Sequence, residues 1–492
     1  MSAQSPDTQH CSAVAVAEGG PRLLMLDPRA TDTVSNVELI LGEVRKHPGN
    51  PLFGEDYFSD PPRAWETRFD NVYPSIVRDP KSHAYRAWYF SFLTDSDMAD
   101  VPLDQRGSRN YGSPEREDGL LYAESLDGIT WDKPNLGLIE FKGSTANNIV
   151  MSTESHGIHA GGVLLDDHDA DPDRRYKAVF RSRRARTMAV AFSADGLEWS
   201  EPVPWPEHSA VGDTHTNGFW DPSRNCYVIV TRGWTESTPE DLYRGERTVL
   251  RCESNDFINW SEPREVLRGD GPHDQVYSMP IARYGDIYVG LPAIFHKGTP
   301  GADDWDLVDT ELAVSNDSFD WRRVAPGRPL IPRGEGTYPS GAYDCGCIYA
   351  AAPIVDDNEI RIYYGGSNGT HNGFRESSLN LATLPLDRWA GYVAADGIGT
   401  IVTSPVTIRD EVTLNLTTSG GGWARIEVHD VHDVPDERSR RCDSVQIFGD
   451  GLRIPVRWRQ GELPRDGRAF RLSIELQDAA LYAVNGVSRA MT

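Results

Sequence analysis

Cysteine is scarce in this chain, with 6 among 492 residues. Cys345 and Cys347 stand one residue apart, which is not a zinc spacing, and Cys11, Cys226, Cys252 and Cys442 stand alone. Such spacing excludes a disulfide scaffold and fits reduced thiols. No stretch approaches the roughly 18 apolar residues of a membrane-spanning helix. The opening MSAQSPDTQHCSAVAVAEGG lacks a cationic segment followed by a long apolar one, so a cytoplasmic protein with a flexible N-terminus over 1–21 is expected. Basic residues are outnumbered, 49 Lys and Arg against 74 Asp and Glu, for a formal net charge of −25. That balance argues against nucleic acid and anionic membrane as partners, since both call for a basic face. Helical periodicity is nearly absent, which argues against folds wound around helices. Aromatic residues at 10%, with 45 Gly and 33 Pro, instead suggest a loop-rich β-protein with a real core.

The chain carries a repeat. Ser125-Leu-Asp-Gly-Ile-Thr-Trp131 returns as Ser193-Ala-Asp-Gly-Leu-Glu-Trp199, Ser254-Asn-Asp-Phe-Ile-Asn-Trp260 and Ser315-Asn-Asp-Ser-Phe-Asp-Trp321. The Trp positions lie 68, 61 and 61 residues apart, and Trp389 ends a degenerate copy 68 further on. Ahead of each copy runs an alternating strand such as Met188-Ala-Val-Ala-Phe192. A second strand precedes it, such as Tyr176-Lys-Ala-Val-Phe180 or Tyr227-Val-Ile-Val230, often after an acidic turn at Asp79-Pro80, Asp166-Asp167, Asp221-Pro222 or Asp356-Asp357. Asp-Gly and Asn-Asp turn the third strand into a fourth. Four antiparallel strands repeated five times predict an all-β, five-bladed β-propeller over 22–394, with the Trp side chains packed between blades. After Trp389 the repeat stops, and short strands between Val406 and Val484 predict a β-sandwich over 395–492. Residues 22–45 supply a hairpin to either domain.

Propeller chemistry sits where the inner strands begin. That selects Asp70 and Tyr73 in the first unit, His156 and His159 in the second, and Asp213, His215 and Asn217 in the third. Asp274, Gln275 and Tyr277 follow in the fourth and Glu335 with Asp344 in the fifth, and Glu311 and His371 complete the set. Carboxylates, imidazoles and phenols around a funnel suit a small-molecule carbohydrate. Cleaving a glycosidic bond requires two carboxyl groups, one protonated and one ionised, and crowded acids raise one another's pKa. Arg68 beside Asp70 favours an ionised nucleophile or base, which leaves Glu335 as the candidate acid. No HxH or HExxH spacing supports a metal, and no cofactor is expected.

The segments Lys46-His-Pro-Gly-Asn-Pro-Leu52, Asp70-Asn-Val-Tyr-Pro-Ser75, Ser125 to Trp131, Asp213-Thr-His-Thr-Asn217, Tyr277-Ser-Met-Pro280 and Tyr363-Tyr-Gly-Gly-Ser-Asn-Gly369 carry a resemblance. Over residues 22–492 the chain resembles the five-bladed glycoside hydrolase superfamily of families 32, 43 and 68, most closely a bacterial family-32-like group. The resemblance implies that Asp70 is the nucleophile or base and that Asp213 tunes the acid and holds the sugar. The family's Arg-Asp-Pro and Glu-Cys motifs are absent, and Arg251-Cys-Glu253 is only a loose echo. The acid therefore stays open between Glu335, Glu311 and Asp274, as do retention against inversion and hydrolysis against transfer. A glycoside phosphorylase using Arg181, Arg183, Arg184 and Arg186 is one alternative. A non-catalytic sugar-binding propeller, or one recruited to another biosynthetic reaction, is the other. Nothing in the sequence selects the sugar or the oligomeric state.

Overall fold

The computed structural model describes residues 20–99, 101–106, 116–238, 241–394, 396–437, 439–459 and 465–490. The expected flexible segment falls almost wholly outside them. The described backbone is nearly all β, and the α-helices Leu103–Arg106 and Thr153–His156 are four residues each. Among these residues no helix is long and apolar enough to cross a membrane. Two compact units emerge, one of residues 46–354 and 361–382, the other of 20–45, 355–360 and 383–490.

The first unit has a propeller arrangement. Its first blade runs Ser75–Arg78, Tyr85–Asp95, Arg116–Ser125 and Ile149–Ser152, and its second Ile158–Leu165, Tyr176–Ser182, Thr187–Ser193 and Val203–Pro204. The third runs Asn217–Asp221, Cys226–Trp234, Arg247–Ser254 and Arg264–Arg268, and the fourth Ile281–Tyr284, Ile287–Gly290, Ala313–Ser315 and Trp321–Arg323. Apolar clusters fill the spaces between blades. One joins Trp88 and Tyr122 to Ile158 and Phe180, the next Val179 and Val190 to Tyr227 and Ile229, and the next Phe219 and Val228 to Ile281 and Tyr288. Trp260 is 5% exposed in such a layer, whereas Trp131, Trp199 and Trp321 are only half-buried.

The repeated motif is a turn device. Its Ser hydroxyl accepts from the N–H three residues on, at Gly128, Gly196, Phe257 and Ser318, over 2.8–2.9 Å. Those four residues have φ of 73°, 78°, 64° and 64°, the left-handed region that glycine enters without strain. The acidic turns act across blades. Tyr176 donates its hydroxyl to Asp79, Tyr227 to Asp166 and Tyr288 to Asp221.

Four blades stand as separate sheets, not five. Of the strands expected of a fifth, those at 360–364 and 379–382 fall in Glu359–Ser367 and Ser377–Pro385, but the inner strand is Cys347–Ala350 and does not begin at Glu335. All three belong with Arg45–Lys46 to a nine-stranded sheet. That sheet also takes Asp274–Ser278, Ala293–His296 and Val308–Thr310, which meet it at the single pair Val308 and Cys347. Prolines interrupt the fourth blade. Pro280 separates Asp274–Ser278 from Ile281–Tyr284, and Pro292 separates Ile287–Gly290 from Ala293–His296. A proline cannot donate to a ladder, so the strands break there. The halves on each side keep the same hairpin partner, Asp274–Ser278 with Ala293–His296 and Ile281–Tyr284 with Ile287–Gly290.

The second unit contains one eight-stranded sheet around Ala469–Arg489 and Val406–Asp430, strands of 21 and 25 residues. The separate short strands read from the sequence are continuous here. They pass through an irregularity where Gly421 adopts φ 90° and Asp478 φ 47°. Ile426, Leu472, Ile474 and Leu476 lie at the centre of the core, wholly buried.

Candidate functional site

Antiparallel pairing brings the start of each inner strand, the end of the second and the start of the third to one end of a blade. The turn carrying Asp70 opens the first inner strand there. Asp70, Val72 and Tyr73 have φ of 61°, 61° and 43°, which is strained for a β-branched valine. The surroundings hold it. Phe90 N–H donates to Val72 O at 2.7 Å, and Ser377 Oγ to Asp70 O at 2.6 Å. Gly365 lies so close that a Cβ there would stand 2.5 Å from Asn71 O, which accounts for one glycine of the Tyr363 to Gly369 segment.

The Asp70 carboxylate does not open to solvent. It is 4% exposed, with Arg375 Nη2 at 3.0 Å and Arg68 Nε at 3.8 Å. Arg68 reaches on to Asp95 at 3.4 Å, and Arg116 to the same carboxylate at 3.5 Å. Beside it the interior fills with polar aromatics. Asn71 Nδ2 donates to Tyr73 Oη at 2.7 Å, and Tyr73 Oη to Tyr277 Oη at 3.2 Å. His215 stacks on Tyr73, and Tyr349 Oη lies 3.0 Å from His371 Nδ1. Burial pushes the His215 imidazole down to about 3 and His371 well below its ordinary value, so both rings are neutral.

A second cluster reaches the surface. His159 Nδ1 lies 2.7 Å from Asp118 Oδ2, and its Nε2 2.7 Å from Asp213 Oδ1. Burial works against the imidazolium, but the two carboxylates outweigh it and raise His159 to about 9. Asp213 is lowered despite its own burial, by His159 and by the Arg232 and Arg247 charges. Its side chain is 29% exposed, against 6% for Asp70. His296 repeats the pattern between Asp274 at 2.7 Å and Asp309 at 2.9 Å, with Arg333 on Asp309.

Other residues selected from the sequence lie outside these clusters. His156 ends a helical turn and bonds Ser155. Asn217 accepts from Ile281 N–H, and Gln275 from Arg247. Glu311, 2% exposed, is held by both arms of the Arg323 fork. Asp344 is closed by Lys46 at 2.6 Å and Tyr364 at 2.9 Å. Glu335 stands exposed, and its side chain has no hydrogen bond or ion pair among the described residues.

Sequence reasoning missed a cavity of about 370 Å³ behind the Asp70 turn, lined among others by Glu55, Glu376, Arg106, Tyr57, Phe58 and Asn368. Glu55 Oε1 accepts from Phe69 N–H at 2.8 Å, next to Asp70, and Glu376 Oε2 accepts from Asn368 Nδ2 at 3.0 Å. Enclosure by the cavity wall pushes the Glu55 carboxyl up to about 8. The Phe69 amide and the Arg106 and Arg68 charges oppose that rise, and Glu376 adds to it. The one available signal was position, three residues beyond the Lys46 to Leu52 segment.

No protein-family model matches the chain, and no curated protein matches it. Solved structures are similar to it at low identity. A glycosyl hydrolase from Bacteroides ovatus has 14% identity and a TM-score of 0.45, over 70% of this chain and 95% of that one. An N-acetylgalactosamine deacetylase from F. plautii in complex with blood group B trisaccharide has 14% and 0.44, over 72% and 97%. A fructofuranosidase from Schwanniomyces occidentalis complexed with fructosylnystose has 11% and 0.40, over 85% and 95%.

Proposed function

We propose that the protein cleaves or transfers an O-glycosyl bond of a small glycoside or oligosaccharide. The observation that carries this is the 370 Å³ cavity holding two carboxyl groups, one of them raised to about 8. Its volume suits a monosaccharide-sized group. At neutral pH Glu55 keeps a proton to give to the glycosidic oxygen as the C1–O bond breaks. Glu376, oriented by Asn368, takes the proton of the water or acceptor hydroxyl that attacks C1. Tyr57 and Phe58 offer flat surfaces to the sugar. Asp70 orders the turn beside the cavity through Arg68 and Arg375, while Asp213 and His159 form the separate cluster that reaches the surface.

In this reading Cys347–Ala350, Glu359–Ser367 and Ser377–Pro385, completed by Arg45–Lys46, form a fifth blade, and the sheet of residues 399–489 folds over as a sandwich. Support for the blade comes from the unbroken order of those four strands within the nine-stranded sheet.

The test is Glu55→Gln. Turnover of glycosides with poor leaving groups should fall at least a hundredfold, while activated aryl glycosides, which need no proton, should fall far less. In the unsubstituted protein, turnover of the poor substrates should decline as pH rises through about 8. Equal losses on both substrate classes would remove Glu55 as the acid.

A further inference from the structure

Three of the cations around Asp213 have partners. His159 bridges Asp118 and Asp213, Arg183 Nη2 lies 2.6 Å from Asp118, and Arg232 Nη1 lies 3.6 Å from Asp213. These two carboxylates are thereby used. The adjoining His296 sector is closed on itself through Asp274, Asp309 and Arg333.

Two further guanidinium groups make no ion pair with a carboxylate among the described residues. Arg181, paired with His159 across the ladder and 9% exposed, has no side-chain partner among the described residues. The charges of Asp213, Arg181, Arg232 and Arg183 all act on the Tyr243 hydroxyl. Arg247 gives one arm to Gln275 Oε1 at 2.9 Å, while its Nε is buried without a hydrogen-bond partner. It lies 4.6 Å from the Trp234 ring and 4.9 Å from Phe295. A buried guanidinium without an ion pair is costly, and Arg181, with Arg247 sharing the Asp213 charge with Arg232, calls for a further negative partner in a chain of charge −25. Their flat forks match the oxygens of a carboxylate or phosphate. Trp234 and Tyr243, with centroids 5.9 Å apart, stand beside them as a surface for a sugar ring, and Tyr243 is 50% exposed.

We infer that the mouth around Arg181, Arg247 and Tyr243 binds an acidic sugar by its oxyanion, a carboxylate or a phosphate. Binding is read without turnover, so the outcome is independent of the chemistry proposed for the Glu55 cavity.

Calorimetric titration of the full chain with glucuronate, glucose 6-phosphate and glucose tests it. At least one anionic sugar should bind tenfold or more tightly than glucose. Tighter glucuronate assigns a carboxylate, and tighter glucose 6-phosphate a phosphate. Arg181→Gln and Arg247→Gln should each weaken the anionic sugar at least tenfold. Arg184→Gln should leave it unchanged, since that side chain bonds the Glu154 and Ser155 carbonyls. If either variant fails to fold, Tyr243→Ala, at the 50% exposed ring of the same mouth, should weaken binding in its place. Glucose binding as tightly as both anions, or an equal loss in Arg184→Gln, would overturn the proposal.

Discussion

Tyr227 of the third blade donates its hydroxyl hydrogen to Asp166 of the second at 2.6 Å. The carboxylate is 3% exposed and also holds Lys177 Nζ at 2.8 Å. Tyr227→Phe should remove one bond to a buried charge and cost about 2 kcal/mol. It should lower the midpoint of urea unfolding without changing the slope. Asp166→Ala should cost about 3 kcal/mol, because Lys177 is wholly buried and keeps one carboxylate, Asp169 at 3.0 Å, beside the Arg174 carbonyl.

The repeated tryptophans should not behave alike. Trp260 is 5% exposed and stacks on Trp205 with centroids 5.2 Å apart, so Trp260→Ala should cost roughly 3–5 kcal/mol. Trp199 is half-buried and should cost about half as much. Equal shifts in melting temperature would mean that the two positions are packed equivalently, contrary to this layering.

The repeat was legible because its signals are local. Ser125 and Asp127 tie down their own turn, and the acidic turn at Asp166 lies just ahead of Tyr176 in the chain. The merged sheet was not, because it rests on one pairing, Val308 with Cys347, between residues of different repeats. Site residues divide in the same way. Asp213 and His159 were visible as polar residues opening inner strands. Glu55 was not, since its environment comes from Phe69, Arg106 and Glu376, which are 14, 51 and 321 residues away. Glu335 shares the spacing to a following Tyr that marks Asp70 and Asp274, yet it stands on the surface.

Burial of Asp70 changes what its substitution should do. The sequence alone presents a carboxylate whose replacement by asparagine keeps the shape and leaves folding intact. Arg375 is wholly buried against it and Arg68 is 1% exposed, so Asp70→Asn takes the carboxylate at 3.0 Å from Arg375 and leaves Arg68 to Asp95. We expect a loss of about 3 kcal/mol in unfolding free energy. A variant as stable as the parent would show that Asn71 and Asp95 balance those charges unaided.

His159 should make stability depend on alkaline pH. Its folded value, about 9, lies above the ordinary 6.5 because Asp118 and Asp213 outweigh its burial. A raised value means stabilisation fully present below about 6.5 and lost as pH climbs through about 9. The difference is of the order of 3 kcal/mol. Unfolding midpoints measured from pH 6 to 10 should fall in that window, and His159→Gln should flatten the fall. An unchanged slope in the variant would place the titrating group elsewhere.

Glu55 should produce a separate dependence at lower pH. Its carboxyl is raised from 4.5 to about 8, first by enclosure and then by Glu376, against the pull of the Phe69 amide and two arginines. The folded protein therefore holds a proton that the unfolded chain releases near 4.5. Stability linked to that proton is complete below about 4.5 and is lost as pH rises to about 8, by an amount on the order of several kcal/mol. Glu55→Gln keeps the shape and the neutral state, so it should be no more stable than the parent at pH 4.5 and clearly more stable at pH 8. The same substitution should abolish turnover of glycosides with poor leaving groups, a gain in stability at the expense of function. Parallel stability curves for the two proteins between pH 4.5 and 8 would mean that Glu55 is ionised throughout. The cavity would then lack the protonated carboxyl that glycoside cleavage requires.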